Sequence, residues 1–195
     1  MRTFERTIEI AVLSYQELTP KERLLLQHAC FARLNAQAPY SNYWVGASLI
    51  TVINGKFSDG CNVENVHYEV VHAEENAISA AVTKLGPFRI AAMAVVGAPA
   101  GQAVPWPPLK IDPTTIISHI SSVSDVCPSC GYCLQKIAEN CFDETGKFDP
   151  NVVLIGYRPK TGEIYRTTIG DAYPMPFLPQ YLGINYSQDP RLKKK

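Results

Sequence analysis

Four residues in two short motifs have the types and spacing that do chemistry. They are His72 and Glu74 of His72-Ala73-Glu74, and Cys130 and Cys133 of Cys130-Gly131-Tyr132-Cys133. One imidazole and two thiolates form a donor set for tetrahedral zinc, and three protein ligands leave the fourth position to water. At such an open site the ion lowers the pKa of water to about 7, which makes hydroxide available near neutral pH. Glu74, two residues beyond the histidine and not itself a ligand, is placed to collect a proton and deliver it to a departing group. Cys127-Pro128-Ser129-Cys130 has the same C-x-x-C spacing, so either cysteine pair could supply the thiolates. If Cys127 joined Cys130, Cys133 and His72, the result would be a closed structural site that binds partners but cannot activate water. Cys30, Cys61 and Cys141 fall inside apolar patterns and read as small hydrophobes.

The elements that must position these residues follow from local signals. Thr19-Pro20-Lys21-Glu22 combines an N-cap, a proline at the first helical position and a capping box. It predicts a helix to about Ala36 whose face carries Leu26, Cys30, Arg33 and Leu34. Strands over Ala47 to Ile53 and Lys56 to Asn62 flank Asn54-Gly55, which predicts a two-residue hairpin turn. His72 to Leu85 is helical, stopped by Gly86-Pro87. Ile90 to Val96 is a strand apolar enough to be covered on both faces. Leu134, Ile137, Ala138 and Cys141 predict a third helix whose first turn carries Cys130 and Cys133, and strands follow over Val152 to Tyr157 and Ile164 to Ile169. The two motifs thus open two helices, whose N-terminal partial charge favours thiolate. The order αββαβαββ predicts an α/β chain, a three-layer α/β/α sandwich on a five-stranded mixed sheet. We expect residues 1–195 to form one catalytic domain, with a proline-rich insertion over 97–125 and an irregular tail from Tyr173.

Eighteen Lys and Arg against eighteen Asp and Glu leave no net field for a polyanion, so no nucleic-acid partner is expected. Charged residues at the start and the lack of a long apolar run predict no signal peptide, no membrane span and a cytoplasmic setting, where thiols stay reduced.

The motifs together resemble the cytidine deaminase family, whose members carry H-x-E and P-C-x-x-C signatures. Pro39-Tyr40-Ser41-Asn42-Tyr43-Trp44-Val45-Gly46-Ala47 is similar to the family's Y-S-x-F-x-V-G-A segment, and Cys61-Asn62-Val63-Glu64-Asn65 to its N-x-E segment. Gly131 and Gln135 match C-G-x-C-x-Q, which favours Cys130 and Cys133 over the earlier pair. The resemblance implies a zinc cofactor, His72, Cys130 and Cys133 as ligands, and Glu74 as the catalytic proton carrier. It further implies substrate contacts by Tyr43 against the base, Asn62 and Glu64 at the ribose 3′-hydroxyl, and Ala73 and Ser129. A buried carboxylate at that hydroxyl would repel the next phosphate of a polynucleotide, so the implied substrate is a free cytosine nucleoside. Nucleotide or nucleic-acid cytosine deamination and the structural zinc module are the alternatives. Two departures stand together: His72 replaces a cysteine, and Leu134 replaces an arginine, of many family members. One imidazole and two thiolates already neutralise the divalent ion. The family implies a homo-oligomer, dimer or tetramer.

Overall fold

The computed structural model describes residues 5–108, 128–185 and 188. The first helix, α1 (Pro20–Ala32), starts as its capping box dictates: Thr19 Oγ1 accepts from Glu22 N–H at 3.3 Å, and the Glu22 carboxylate accepts from Thr19 N–H at 2.9 Å. Leu25, Leu26, Ala29 and Cys30 are buried, but Leu34 is 60% exposed. At Arg33–Asn35 the chain tightens into a 3-10 turn, so the 3.6-residue period that placed Leu34 on the apolar face no longer holds.

Strands β2 (Tyr43–Thr51) and β3 (Phe57–Cys61) form the expected antiparallel hairpin, with Gly46 opposite Cys61 and Ile50 opposite Phe57. Its loop is not the predicted two-residue turn. Gly55 has positive φ and Asn54 does not. Instead the Thr51 hydroxyl donates to Asn54 Oδ1 at 2.7 Å, and Thr51 N–H bonds the Lys56 carbonyl at 3.0 Å, closing a longer loop.

The remaining elements are β1 (Ala11–Leu13), β4 (Val63–Glu64), β5 (Val70–Val71), α2 (Ala73–Leu85), β6 (Ile90–Pro99), α3 (Gly131–Ala138), β7 (Val153–Tyr157), β8 (Ile164–Thr168) and α4 (Ile169–Ala172). The main sheet runs β1-β8-β7-β6-β2-β3, with β6 and β7 parallel and the other neighbours antiparallel. It therefore has six strands rather than the predicted five. The sixth, β1, spans three residues, too few to show an alternating pattern, and forms by pairing with β8. β4 and β5 make a separate small hairpin leading into α2.

Alternation along the strands sorts the core into two layers. Ala47, Leu49, Met93, Val95 and Leu154 pack with α2 and α3, whereas Ile50, Ala94, Val96, Ile155 and Tyr157 pack with α1. This is the predicted α/β/α sandwich. Two glycines set the approach of the helices. A Cβ on Gly46 would lie 2.1 Å from the Ala29 carbonyl of α1, and one on Gly60 would lie 2.3 Å from the Ala73 carbonyl of α2.

Of the predicted insertion, Gly97, Ala98 and Pro99 belong to β6, and 109–125 lie outside the described residues. The described remainder covers the α1 side, where Trp106 meets Tyr15 and Phe31 with ring centroids 5.5 and 6.4 Å away. Buried Arg33 ties this region down by donating to the carbonyls of Trp44, Ala98, Pro99 and Gln102 at 2.9 to 3.3 Å. Among the described residues after Tyr173, Pro179–Leu182 form a 3-10 turn, and the segment is anchored to α3. Phe177 N–H donates to Gln135 Oε1 at 3.0 Å, and Gln135 Nε2 donates to the Phe177 carbonyl.

Candidate active site

The backbone at His72 is extended (φ −71°, ψ 153°), and its carbonyl accepts from Asn76 N–H at 2.9 Å, which makes it the N-cap of α2. Cys130 does the same for α3, with φ −71°, ψ 166° and a 2.9 Å bond from Leu134 N–H. Neither side chain caps its own helix. Both are free to turn toward each other, and His72 Nδ1 lies 3.6 Å from Cys130 Sγ. Cys133, one turn into α3, completes a group whose donor atoms all lie within 4.8 Å of one another. Metal–donor bonds of about 2.0–2.3 Å in a tetrahedron place donors about 3.3–3.8 Å apart, which the 3.6 Å separation of His72 and Cys130 matches.

The chemistry of the donor set fits a cation as well. Burial, then the negative charge of Glu74, then Cys130 push the Cys133 thiol far above its ordinary pKa. Two thiols, an imidazole and a carboxylate crowded together are reconciled by a divalent ion that replaces the thiol protons. Glu74 is 4% exposed in the first turn of α2, against Cys133 and outside the three-residue donor group. Among the described residues no fourth His, Cys, Asp or Glu joins that group. Cys127 lies outside the described residues, so the earlier cysteine pair is not tested by the geometry.

Asn62 and Glu64 are both buried; Asn62 braces the first residues of β2 and Glu64 the loop that leads into it. Asn62 Nδ2 donates to the Tyr43 carbonyl and its Oδ1 accepts from Val45 N–H, each at 2.9 Å. Glu64 Oε2 accepts from Tyr40 N–H at 2.8 Å and from Ser41 N–H at 3.1 Å. The Ser41 hydroxyl, with the two N–H groups and against burial, holds the Glu64 carboxyl below its usual range. Tyr43 is half-buried at the start of β2, Ala73 is buried as the first residue of α2, and Ser129 is half-buried beside Cys130. Ser129 also borders a cavity of about 360 Å³ between α3 and the sheet, with Met93, Val95, Leu134 and Leu154 in its wall.

The family described as the cytidine and deoxycytidylate deaminase zinc-binding region matches residues 19–145, which include all three donors and Glu74. The chain belongs to this family. It is similar to the cytidine deaminase of Halalkalibacterium halodurans, at 29% identity over 156 residues, or 80% of this chain and 92% of that one. It is 38% identical over 73 residues to the cytidine deaminase of Mycobacterium tuberculosis, a stretch that covers 37% of this chain and 54% of that protein. Among solved structures, the cytidine deaminase of Burkholderia pseudomallei superposes with a TM-score of 0.56 at 31% identity, over 82% of this chain and 100% of that chain. Zinc is the family's metal, and the His/Cys/Cys group here is built for it.

Within this deaminase scaffold, sequence reasoning missed three polar residues around the donors: Glu75, Tyr132 and Lys136. They meet across α2 and α3, and helical spacing within one element carries no signal for a contact between two. It also missed a chain running from buried Ser48 to the surface, in which Ser48 Oγ donates to Asp59 at 2.6 Å and Asp59 in turn lies 2.9 Å from His28 Nδ1. That chain holds β3 to α1 on the side away from the donors, and His28 stacks on Phe57 at 4.5 Å. Burial pushes the Cys30 thiol up to about 12, in keeping with its reading as a small hydrophobe.

Proposed function

We propose that the chain hydrolyses the exocyclic amine of a free cytosine nucleoside, cytidine or deoxycytidine. Water adds its oxygen to the ring carbon, the carbon–nitrogen bond breaks, and the uracil nucleoside and ammonia leave. The observation that carries this reading is a buried carboxylate, Glu74, set directly against a three-donor His72, Cys130 and Cys133 group. His72, Cys130 and Cys133 hold the zinc, which when bound supplies the positive charge that makes water nucleophilic near neutral pH. Glu74 takes the proton that water loses and hands protons to the ring nitrogen and to the departing amine. Its burial limits exchange of those protons with solvent.

The other site residues supply orientation. Asn62 and Glu64 fix the Tyr40–Val45 segment through its backbone and offer their remaining hydrogen-bonding capacity to the sugar 3′-hydroxyl. Tyr43 packs against the base, and Ala73 and Ser129 line the pocket. The Glu64 charge favours a free nucleoside, because a 3′-phosphate would meet it at close range. The balanced net charge supports the same conclusion against a long nucleic acid.

A reducing, cytoplasmic setting suits a centre that depends on free thiols. No helix among the described residues is long and apolar enough to cross a membrane. The exposed side chains of Val66, Tyr68, Val70 and Val71 on the hairpin that leads to His72 support assembly into a homo-oligomer, dimer or tetramer. The test is ammonia release from cytidine, deoxycytidine, their monophosphates and cytosine-containing oligonucleotides. Turnover of the nucleosides is expected. Turnover confined to oligonucleotides would overturn the reading, and silence on all of them with zinc fully bound would point to a structural module.

A further inference from the structure

Zinc ligation in this chain depends on a distance between two helices. His72 stands at the start of α2, whereas Cys130 and Cys133 stand on the first turn of α3. Ala73 and Ala77 of α2 and Ile137 and Ala138 of α3 share one buried apolar cluster, whose contacts carry no directional bond that would fix the separation of the two N-termini. One polar cluster spans the gap beside the donors. Glu75 Oε1 accepts from Lys136 Nζ at 2.5 Å and from the Tyr132 hydroxyl at 3.1 Å. Lys136 Nζ sits 4.6 Å from the centre of the Tyr132 ring, and that ring lies 5.7 Å from the ring of His72. A single carboxylate oxygen on α2 therefore gathers two donors from α3, one of them on Tyr132 between the two cysteines.

Magnitudes favour a role beyond stability. The Lys136 and Glu75 side chains are 34% and 20% exposed, and ion pairs within reach of water contribute little to folding. Groups that orient metal ligands are worth about 10- to 100-fold in metal affinity. Charge bookkeeping agrees: zinc with one imidazole and two thiolates is neutral, so an unpaired Glu75 would add a second negative charge beside Glu74. Lys136 cancels it. The pairing holds the Glu75 carboxyl below and the Lys136 ammonium above their usual values, so both are charged at neutral pH.

We propose that Glu75, Tyr132 and Lys136 are positioning residues that set the separation of the α2 and α3 N-termini, and through it the geometry of the zinc ligands. The inference rests on the zinc reading of the site given above. The variants are Lys136→Met, Glu75→Gln and the charge exchange Glu75→Lys with Lys136→Glu. Three readouts are taken: zinc affinity by chelator competition, the absorption bands of the Co²⁺-loaded protein, and the melting midpoint of the metal-free protein. Each single variant is expected to lose about 10- to 100-fold in zinc affinity and to shift the Co²⁺ bands, with the metal-free midpoint nearly unchanged. The exchange is expected to recover most of the lost affinity. Unchanged affinity and bands would overturn the inference, as would an affinity loss that merely tracks a fall in the metal-free midpoint. A wild-type protein that binds no zinc is the separate result that removes the zinc reading itself, and this inference with it.

Discussion

Replacing Gly60 by alanine tests whether the active site is seated by direct backbone contact between β3 and α2. The added Cβ would stand 2.3 Å from the Ala73 carbonyl oxygen, 2.4 Å from Ala77 N and 2.9 Å from the Asn76 carbonyl carbon. Ordinary contact begins at 3.4 Å, and all three atoms are backbone, so no side chain can swing aside. The helix must retreat by about 1 Å, and a displacement of that size at a reacting centre costs about 100-fold in rate. Because α2 carries both His72 and Glu74, kcat/KM for cytidine is expected to fall about 100-fold, or ~2.7 kcal/mol. Overpacking of this kind also costs about 1–3 kcal/mol of stability, which for a chain of this size lowers Tm by about 2–12 °C. The assays are steady-state ammonia release and a thermal melt. Gly131→Ala serves as the melting control, since a Cβ there meets nothing within 4 Å. A Gly60→Ala protein with wild-type turnover and wild-type Tm would refute the claim that α2 is held in place by its contact with this strand.

Three further outcomes are expected. Arg33→Met strands the buried Ala98 carbonyl and three part-buried ones of Trp44, Pro99 and Gln102, and should cost about 2 kcal/mol, a Tm fall of about 4 °C or more; an unchanged melt would show those bonds to be idle. The folded-state pKa values of Glu22 and Glu163 are lowered, because burial, which works the other way, is outweighed by Arg166 for Glu22 and by Thr161 and Arg158 for Glu163. Their stabilisation is therefore complete above the unfolded carboxylate pKa of about 4.3 and is lost as pH falls below it, so the metal-free Tm should stay level from about pH 7 to 5 and drop below about 4. A midpoint that rises on acidification to pH 4 would contradict this. Finally, Cys133→Ser should abolish stoichiometric zinc binding while Cys127→Ser retains it, as metal analysis of the two purified proteins will show; the opposite pattern would move the ligand pair.

Much of this architecture is legible in local chemistry. The start of α1 follows from Thr19, Pro20 and Glu22, and the end of α2 from Gly86 at φ +74°, because caps are decided within a few residues. The near-continuous apolar run of β6 announces a strand covered on both faces, and the two core layers confirm it. His72, Cys130 and Cys133 are legible because helix starts and ligand spacing leave few places for the donors to go. What the sequence hides is decided at long range or by competition between neighbours. β1 exists through its pairing with β8, more than 150 residues away. The turn signal of Asn54-Gly55 yields to the Thr51 hydroxyl, which engages Asn54 first. Arg33 reads as one position on a helix face, yet its partners are backbone carbonyls of other segments, a contact with no residue signature.

The central claim, that a buried carboxylate moves protons beside a zinc held by three residues, is tested most directly by Glu74→Gln. The substitution keeps the shape of the side chain and removes its basicity. Zinc content and ammonia release from cytidine are measured on the same purified sample. We predict one zinc per chain and a loss of about 10²- to 10⁴-fold in turnover. Undiminished turnover with zinc in place would contradict the account.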